Sequence, residues 1–473
     1  MSGNQEVKAG AGYMVGNILI KGVSFVSLPI FSRIMSPADY GLYNTYIAYE
    51  AIVTIIIGMG LHASIKNAKY DFPGQIGKYV STQTIITACF SMIILFAIIC
   101  LNRPIRVLTG LTLIILILLV LQSFGQSMLN IVNAKLALDY NYKTYLKYAA
   151  FNTIINVILS VILICVIFSS ERFLGRVIGT AAPLIILGCY LFISLCKDGH
   201  FTLNKEMALY AAAFGFPLIW HYLAQQVEAQ FDRIMITNMI DAASTGIYSF
   251  TYSIANIFSI LFYSADNVWS VWFFKKMNYG HHGEIRKKAN KYIEVITVLC
   301  CIMMIGSKEA IMVMGDKEYW ESFDLFIPII WGLFFLFLYT IPVGVQYYYK
   351  ETKHIASTTA IAALLNIILN YIFIKKLGYI AAAYTTTLSY ILMFLMHWFI
   401  SMNVLNRHGI KNFFYMTDFI HYILVIVILG IMVIFLNPFP IIKYGISIIA
   451  LAVWGFKNRS NLLELRAAFR KRN

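Results

Sequence analysis

Ser32-Arg33-Ile34-Met35, a polar turn, then Gly41-Leu42-Tyr43: this stretch near the start of the chain is written a second time near its middle. The second copy runs Asp232-Arg233-Ile234-Met235, a slightly longer turn, then Gly246-Ile247-Tyr248. In each copy a long apolar segment comes before and another follows. Asn156-Val157-Ile158-Leu159 is echoed by Asn366-Ile367-Ile368-Leu369, and Leu174-Gly175 by Leu377-Gly378. All offsets fall between roughly 200 and 210 residues, so the chain carries an internal duplication. A duplicated apolar unit is a common build for membrane proteins whose site lies between two halves.

Composition sets the class. The chain is 60% hydrophobic and 12% charged, against about 25% charged in soluble proteins. The apolar surplus has to face lipid, so a polytopic membrane protein is expected. No stretch alternates apolar and polar residues over about ten positions, which favours helices over a barrel. The first ten residues lack the charged, apolar and small-residue pattern of a signal peptide, so the first span is expected to insert the protein. The seven cysteines, Cys89, Cys100, Cys165, Cys189, Cys196, Cys300 and Cys301, lie mainly in apolar runs and read as packing residues. The net charge of +15 suits cytoplasmic loops rather than a nucleic-acid partner.

The apolar runs predict an all-α integral membrane protein with about fourteen transmembrane helices. In the first half they cover residues 12–34, 43–65, 79–100, 108–131, 145–168 and 173–196. In the second they cover 207–231, 246–268, 292–313, 323–347, 354–374 and 379–401, followed by 419–436 and 441–456. This divides the chain into an N-lobe (1–200), a C-lobe (201–405) and a segment 406–473 with the last two spans and a basic tail. An even number of spans per repeat makes the two six-helix lobes parallel, around a central cavity. The last two spans carry almost no polar residues and are expected at the periphery, facing lipid all round. With the N-terminus inside, cytoplasmic segments hold about 25 Lys and Arg and outer ones about 11, which places both termini in the cytoplasm. The largest inner cluster is Lys275, Lys276, Arg286, Lys287, Lys288 and Lys291, which reads first as a topology determinant. The tail from Lys457 is expected to lie on the inner membrane surface as an amphipathic helix.

Charged groups at membrane depth are costly and mark candidate sites. Asn17, Lys21 and Ser24 share one face of the first span at i, i+4 and i+7. Lys21 is a candidate cationic contact for an anionic headgroup; the alternative is snorkelling, or a structural pair with Glu50 in the second span. Glu50 is also a candidate for ion coupling, since burial favours a protonated carboxyl. His221, Gln225, Glu228 and Asp232 form a polar stripe on the seventh span, beside Trp220 and above Pro217. The stripe is expected to line the cavity, its amide and imidazole groups suiting a carbohydrate; Glu228 is the second coupling candidate. Arg33 and Arg233 hold equivalent repeat positions and read either as cations meeting a diphosphate or as interfacial anchors. Arg176, Asp266, Asn366 and Asn370 are weaker candidates, the two asparagines favouring structural hydrogen bonds.

Motifs of soluble enzymes are absent: no Walker A loop, no Gly-x-Gly-x-x-Gly, no His-Glu-x-x-His and no Gly-x-Ser-x-Gly. His281-His282 lacks metal-ligand spacing, so no metal and no cofactor are expected. Transport would be driven by an ion gradient, the membrane potential or the substrate gradient.

Several of these stretches resemble a known family. Gly16-Asn17-Ile18-Leu19 with Ser32 to Tyr43, and Phe216-Pro217-Leu218-Ile219 with Phe231-Asp232-Arg233-Ile234-Met235-Ile236 and Gly246-Ile247-Tyr248-Ser249, are similar to Wzx-type polysaccharide flippases. The likeness extends over essentially the whole chain. That family shares a superfamily with multidrug and toxin exporters and lipid II flippases. The resemblance implies a non-enzymatic protein of the bacterial inner membrane. It implies a substrate, an undecaprenyl-diphosphate-linked oligosaccharide repeat unit for O-antigen, capsule or exopolysaccharide, flipped from the cytoplasmic to the periplasmic leaflet. It also implies two lobes rocking about a cationic cavity, with the pathway's polymerase and glycosyltransferases as neighbours. Glu50 and Glu228 depart from a uniformly cationic path. An ion-coupled multidrug exporter is the alternative within transport, and Lys21 argues against it. A membrane glycosyltransferase or polymerase ranks last, because the outer loops look too short to hold a catalytic site.

Overall fold

The turn inside each repeat is a helix start. In the first copy Ser36 Oγ accepts a hydrogen bond from the Asp39 amide (3.2 Å) and donates to Asp39 Oδ2 (2.8 Å), with Pro37 at the first helical position. In the second copy Asp241 Oδ1 accepts from the Ser244 amide at 2.7 Å. Each cap satisfies a backbone donor that a new helix leaves unpaired, so both repeats launch their second span in the same way.

The computed structural model describes residues 3–457; the side chains of residues 3–11, 13, 14, 17, 18, 267, 450, 451, 453, 456 and 457 lie outside the described set. The expected amphipathic tail after Lys457 also lies outside it. The first half of the chain comprises α1 (Gly3–Ile34), α2 (Pro37–Gly58), α3 (Ile65–Asp71), α4 (Ile76–Cys100), α5 (Asn102–Thr109), α6 (Leu113–Leu138), α7 (Tyr142–Ile162) and α8 (Arg172–Asp198). The second half comprises α9 (Lys205–Met239), α10 (Ala242–Ala255), α11 (Ile257–Asn278), α12 (His282–Ile305), α13 (Ser307–Met314), α14 (Phe323–Leu338), α15 (Thr340–Tyr348), α16 (Thr352–Leu377) and α17 (Ile380–Arg407). Two more follow, α18 (Met416–Leu436) and α19 (Pro440–Lys457).

The protein is all-helical and polytopic. Ten of these helical stretches are long and apolar enough to cross a membrane, or twelve when two bent pairs each count as one span. The fourteen expected from the sequence are not reached on this measure. The first span mixes Lys21 with Gly, Ser and Asn, and the apolar helix at the end is short, Pro440–Ile449. Several expected spans are also broken. The second bends by 53° where Met59 and Gly60 adopt positive φ, and α12 meets α13 at 59°. The eighth is the pair α10 and α11, and the tenth the pair α14 and α15. The chain between α4 and α6 forms the short helix α5, with no buried residue.

Packing is tightest between α2 and α10, the two helices launched by the repeated turns. Gly41 approaches the Ala242 carbonyl and Gly246 the Pro37 carbonyl, so closely that a Cβ on either would sit 1.8 or 1.9 Å from backbone oxygen. Thr45, Thr237 and Thr245 link α2, α9 and α10 by hydroxyl hydrogen bonds of 2.6 and 2.7 Å. At the same end Ser32 Oγ donates to Met314 O (2.7 Å) and Tyr319 to Met35 O (3.1 Å). At the opposite end the bend of α2 meets α9, where Gly60 and Gly215 touch through their backbones. The repeat also sets hydrogen bonds inside each half: Thr180 donates to Asn156 (3.3 Å) on α7, and Asn366 on α16 donates to Thr386 (3.1 Å) on α17.

α18 packs on α12 and α14, and α19 on α12 and α18. The expectation that these last helices face lipid all round is corrected at Lys443. Its side chain is fully buried and pairs with Glu309 of α13 at 3.2 Å. A charge removed from both water and lipid needs such a partner.

Candidate functional site

A cavity of about 400 Å³ lies between the repeats. Its wall is built from α1 (Lys21, Ser24, Phe31), α2 (Tyr40, Tyr43), α7 (Asn152, Asn156), α8 (Arg176) and the α10–α11 junction (Ser253, Asn256). Among the described residues its wall holds two cations, three carboxamides and no carboxylate. Lys21 has no ion-pair partner among the described residues, and it does not meet Glu50.

Arg176 is the deeper cation, only 8% exposed. Its guanidinium lies 3.8 Å from the Phe31 ring centre and 4.5 Å from that of Tyr43. Nη1 donates to Asn156 Oδ1 and Ser160 Oγ, both at 2.7 Å. Nε has no partner among the described residues, nor does the shielded Oδ1 of Asn152. Aromatic faces attract a cation but neutralise nothing. The arrangement therefore holds a positive charge in place with no acidic partner among the described residues, a geometry that would suit an anion. The backbone makes room for it: a Cβ at Gly179 would strike Ser160, and one at Gly175 would crowd Ile164, where the end of α7 widens into a π-turn.

The other expected residues are dispersed. Ser24 lines the cavity with Lys21, while the Asn17 side chain lies outside the described set. Arg33 is exposed and donates to Pro29 O and Val313 O, both at 2.8 Å, clasping α1 to the end of α13. Arg233 is buried, 3.2 Å from Asp232 and 4.9 Å from the Tyr252 ring centre. Asp232 accepts further hydrogen bonds from Tyr248 and the Arg233 amide. The pair is thus internally neutral and stands apart from the cavity wall. Glu50 is buried between α2 and α6 and accepts from Thr54 Oγ1 at 2.8 Å.

The stripe on α9 divides. Gln225 lines a second, smaller crevice with Tyr222 and Gln226, and the His221 ring lies tilted by 48° against Tyr222. Glu228 turns into the second half, where Tyr263, Tyr339 and Tyr390 are its electrostatic neighbours, and one of its oxygens is unpartnered. Asp266 shares Tyr263 and Tyr339 with it. Trp220 is 67% exposed and lines neither space. Asn366 and Asn370 bond to each other (3.0 Å) and to threonines of α17, as structural asparagines do.

Residues 7–275 match the model of a family described as polysaccharide biosynthesis protein. The chain belongs to that family. Its curated relatives include an Lsg locus protein of Haemophilus influenzae, 20% identical over 363 residues, which span 75% of this chain and 87% of that one. A membrane protein of the same organism is 22% identical over 381 residues, covering 76% and 88%. Among solved structures, an inward-facing multidrug resistance transporter of the MATE family superposes with a TM-score of 0.67 at 11% identity, over 83% of this chain and 96% of that one. The lipid II flippase MurJ, in an inward closed conformation, superposes with a TM-score of 0.62 at 17% identity, over 93% and 99%. This polysaccharide biosynthesis protein therefore shares its fold with both transporters. The wall residues that sequence reasoning passed over include Asn152 on α7, Ser253 on α10 and Asn256 at the α10–α11 junction, whose only signal is their spacing from Asn156 and from each other.

Proposed function

We propose that this family member is a flippase for lipid-linked saccharides, moving an undecaprenyl-diphosphate-linked oligosaccharide from the cytoplasmic to the outer leaflet of a bacterial inner membrane. One observation carries the proposal: Lys21 and Arg176 face a single cavity with no carboxylate among the described residues of its wall. A diphosphate crossing the membrane needs fixed positive charge along its path, because stripping it of water is otherwise prohibitive. Asn152, Asn156 and Asn256 supply donors and acceptors for the sugars beside it. The lipid chain stays in the bilayer.

In this proposal residues 1–200 and 201–405 act as two lobes, and the α2–α10 contact is the outer closure. Alternate closure at that end and at Gly60–Gly215 would carry the headgroup across. Glu228 and Glu50 are the coupling candidates. Glu228 has the stronger support, since it lies with Asp266 in the second half, away from the substrate's negative charge. A multidrug exporter taking cations fits the cavity poorly, since both of its charges would repel the cargo.

The test is the leaflet in which substrate accumulates. Cells lacking the protein are expected to build up lipid-linked repeat units accessible only from the cytoplasm. Unpolymerised units exposed on the outer leaflet would place the protein after flipping and favour a polymerase.

A further inference from the structure

A second space of about 150 Å³ lies where the bend of α2 meets α6 and α9. Its wall includes Thr54, His62, Asn130, Tyr222, Gln225 and Gln226, and it contains no Lys, Arg, Asp or Glu. The volume matches about five waters at 30 Å³ each, which is the scale of one sugar ring.

The hydrogen-bonding capacity here is unspent. Gln225 and Gln226 make no hydrogen bond among the described residues. Asn130 uses only its oxygen, which accepts from Gln126 at 3.1 Å. A carboxamide donates and accepts from adjacent atoms, and so do neighbouring hydroxyls on a sugar. The His62 and Tyr222 rings stack at 5.9 Å and 19°, giving a flat aromatic edge beside the amides. The floor is backbone: Gly60, at φ +64, would place a Cβ 2.9 Å from the Gly215 carbonyl. Side-chain motion cannot collapse the crevice from that side.

We propose that this crevice is a saccharide subsite for an uncharged, hydroxyl-rich ring, separate from the cationic cavity. The inference rests on the flippase reading and assigns to its substrate a neutral sugar unit. One face of α2 carries both sites. Tyr43 lines the cavity and Thr54 the crevice. Eleven residues apart on a helix, they lie about 16 Å along the axis and within about 20° of each other. A phosphate held at Lys21 and Arg176 leaves a saccharide running along this face toward Gln226.

Saturation-transfer NMR on the full chain in lipid nanodiscs tests it, with the methyl glycosides of glucose, galactose and N-acetylglucosamine as neutral probes. Inorganic pyrophosphate, followed by its phosphorus line width, is the reference ligand. At least one glycoside is expected to receive saturation in the wild type. That signal should fall several-fold in Gln226→Leu and in Gln225→Leu, the latter at an exposed position that leaves folding untouched. Both variants should keep wild-type pyrophosphate binding, and Lys21→Ala should show the reverse pattern. No saturation on any glycoside, or saturation at the wild-type level in both glutamine variants, would overturn the subsite even with pyrophosphate binding intact. Glycoside binding without pyrophosphate binding would support the crevice and count against the diphosphate reading.

Discussion

Arg176 shows how a residue acquires meaning from its neighbours. In the sequence it is one basic residue near the start of an apolar run. In the structure it is enclosed by Phe31 from α1, Tyr43 from α2 and Asn156 and Ser160 from α7. None of those contacts is within 15 residues along the chain, so no local pattern announces the site. The repeat does offer one signal. Asn156 and Asn366 correspond, but Asn366 bonds to Asn370 where Asn156 bonds to Arg176. The lysine was legible because a charge nine residues into an apolar span has no innocent surroundings. The polar stripe of α9 was legible as a stripe but not as separate sites, because helical periodicity says nothing about which helices stand at each level. Arg176→Lys keeps the charge but loses the planar fork that fits a phosphate and stacks on rings. Hydrogen bonds to charged groups contribute about 1.5–3 kcal/mol. Arg176→Gln is therefore expected to weaken pyrophosphate binding roughly ten- to hundredfold, with Arg176→Lys between it and the wild type. Titration calorimetry on the purified protein measures this, and unaltered affinity in Arg176→Gln would remove the residue from the site.

Between elements, the decisive contact is the one made by the duplicated turns. Pro37 and Gly41 meet Ala242 and Gly246 reciprocally, as two copies of one surface do across a twofold axis. The repeat and its polar turns were visible in the sequence, and with them the presence of matching spans; that the turns are helix caps came from the structure. The breaks were not. Gly58-Met59-Gly60 sits inside an apolar stretch, and only packing against Gly215 shows why the helix turns there. Because the atoms that a new Cβ would strike at Gly41 and Gly246 are backbone, no rotamer change relieves the clash. Gly41→Ala and Gly246→Ala should therefore fold but fail to close this end. In a background with its seven cysteines replaced, Ser24→Cys reports on the cavity. Its labelling by a membrane-impermeant maleimide added outside is expected to rise several-fold when Gly41→Ala is combined with it. Unchanged labelling would mean that the contact does not govern closure.

Across the whole molecule, the two cations of the cavity and the carboxylates grouped with tyrosines stand in different halves, while Glu50 is buried in the first half and Arg233 pairs with Asp232 in the second. Lys21 and Arg176 stand in the first half, facing the cavity, while Glu228 and Asp266 are enclosed among tyrosines in the second. Under the proposed flippase reading, this placement keeps the cargo's diphosphate apart from Glu228 and Asp266, which would repel it. The all-helical, duplicated membrane fold follows from composition and repeat; which polar residues share a space follows only from how α1, α7 and α8 pack. The most direct measurement is flipping in proteoliposomes carrying a fluorescent polyprenyl-diphosphate saccharide, with the labelled headgroup quenched from outside. Wild-type protein is expected to move the headgroup between leaflets, and Lys21→Ala, reconstituted to the same density, is expected to leave it where it started. Movement by Lys21→Ala at the wild-type rate, or none by the wild type, would contradict the cationic cavity as the path of the substrate.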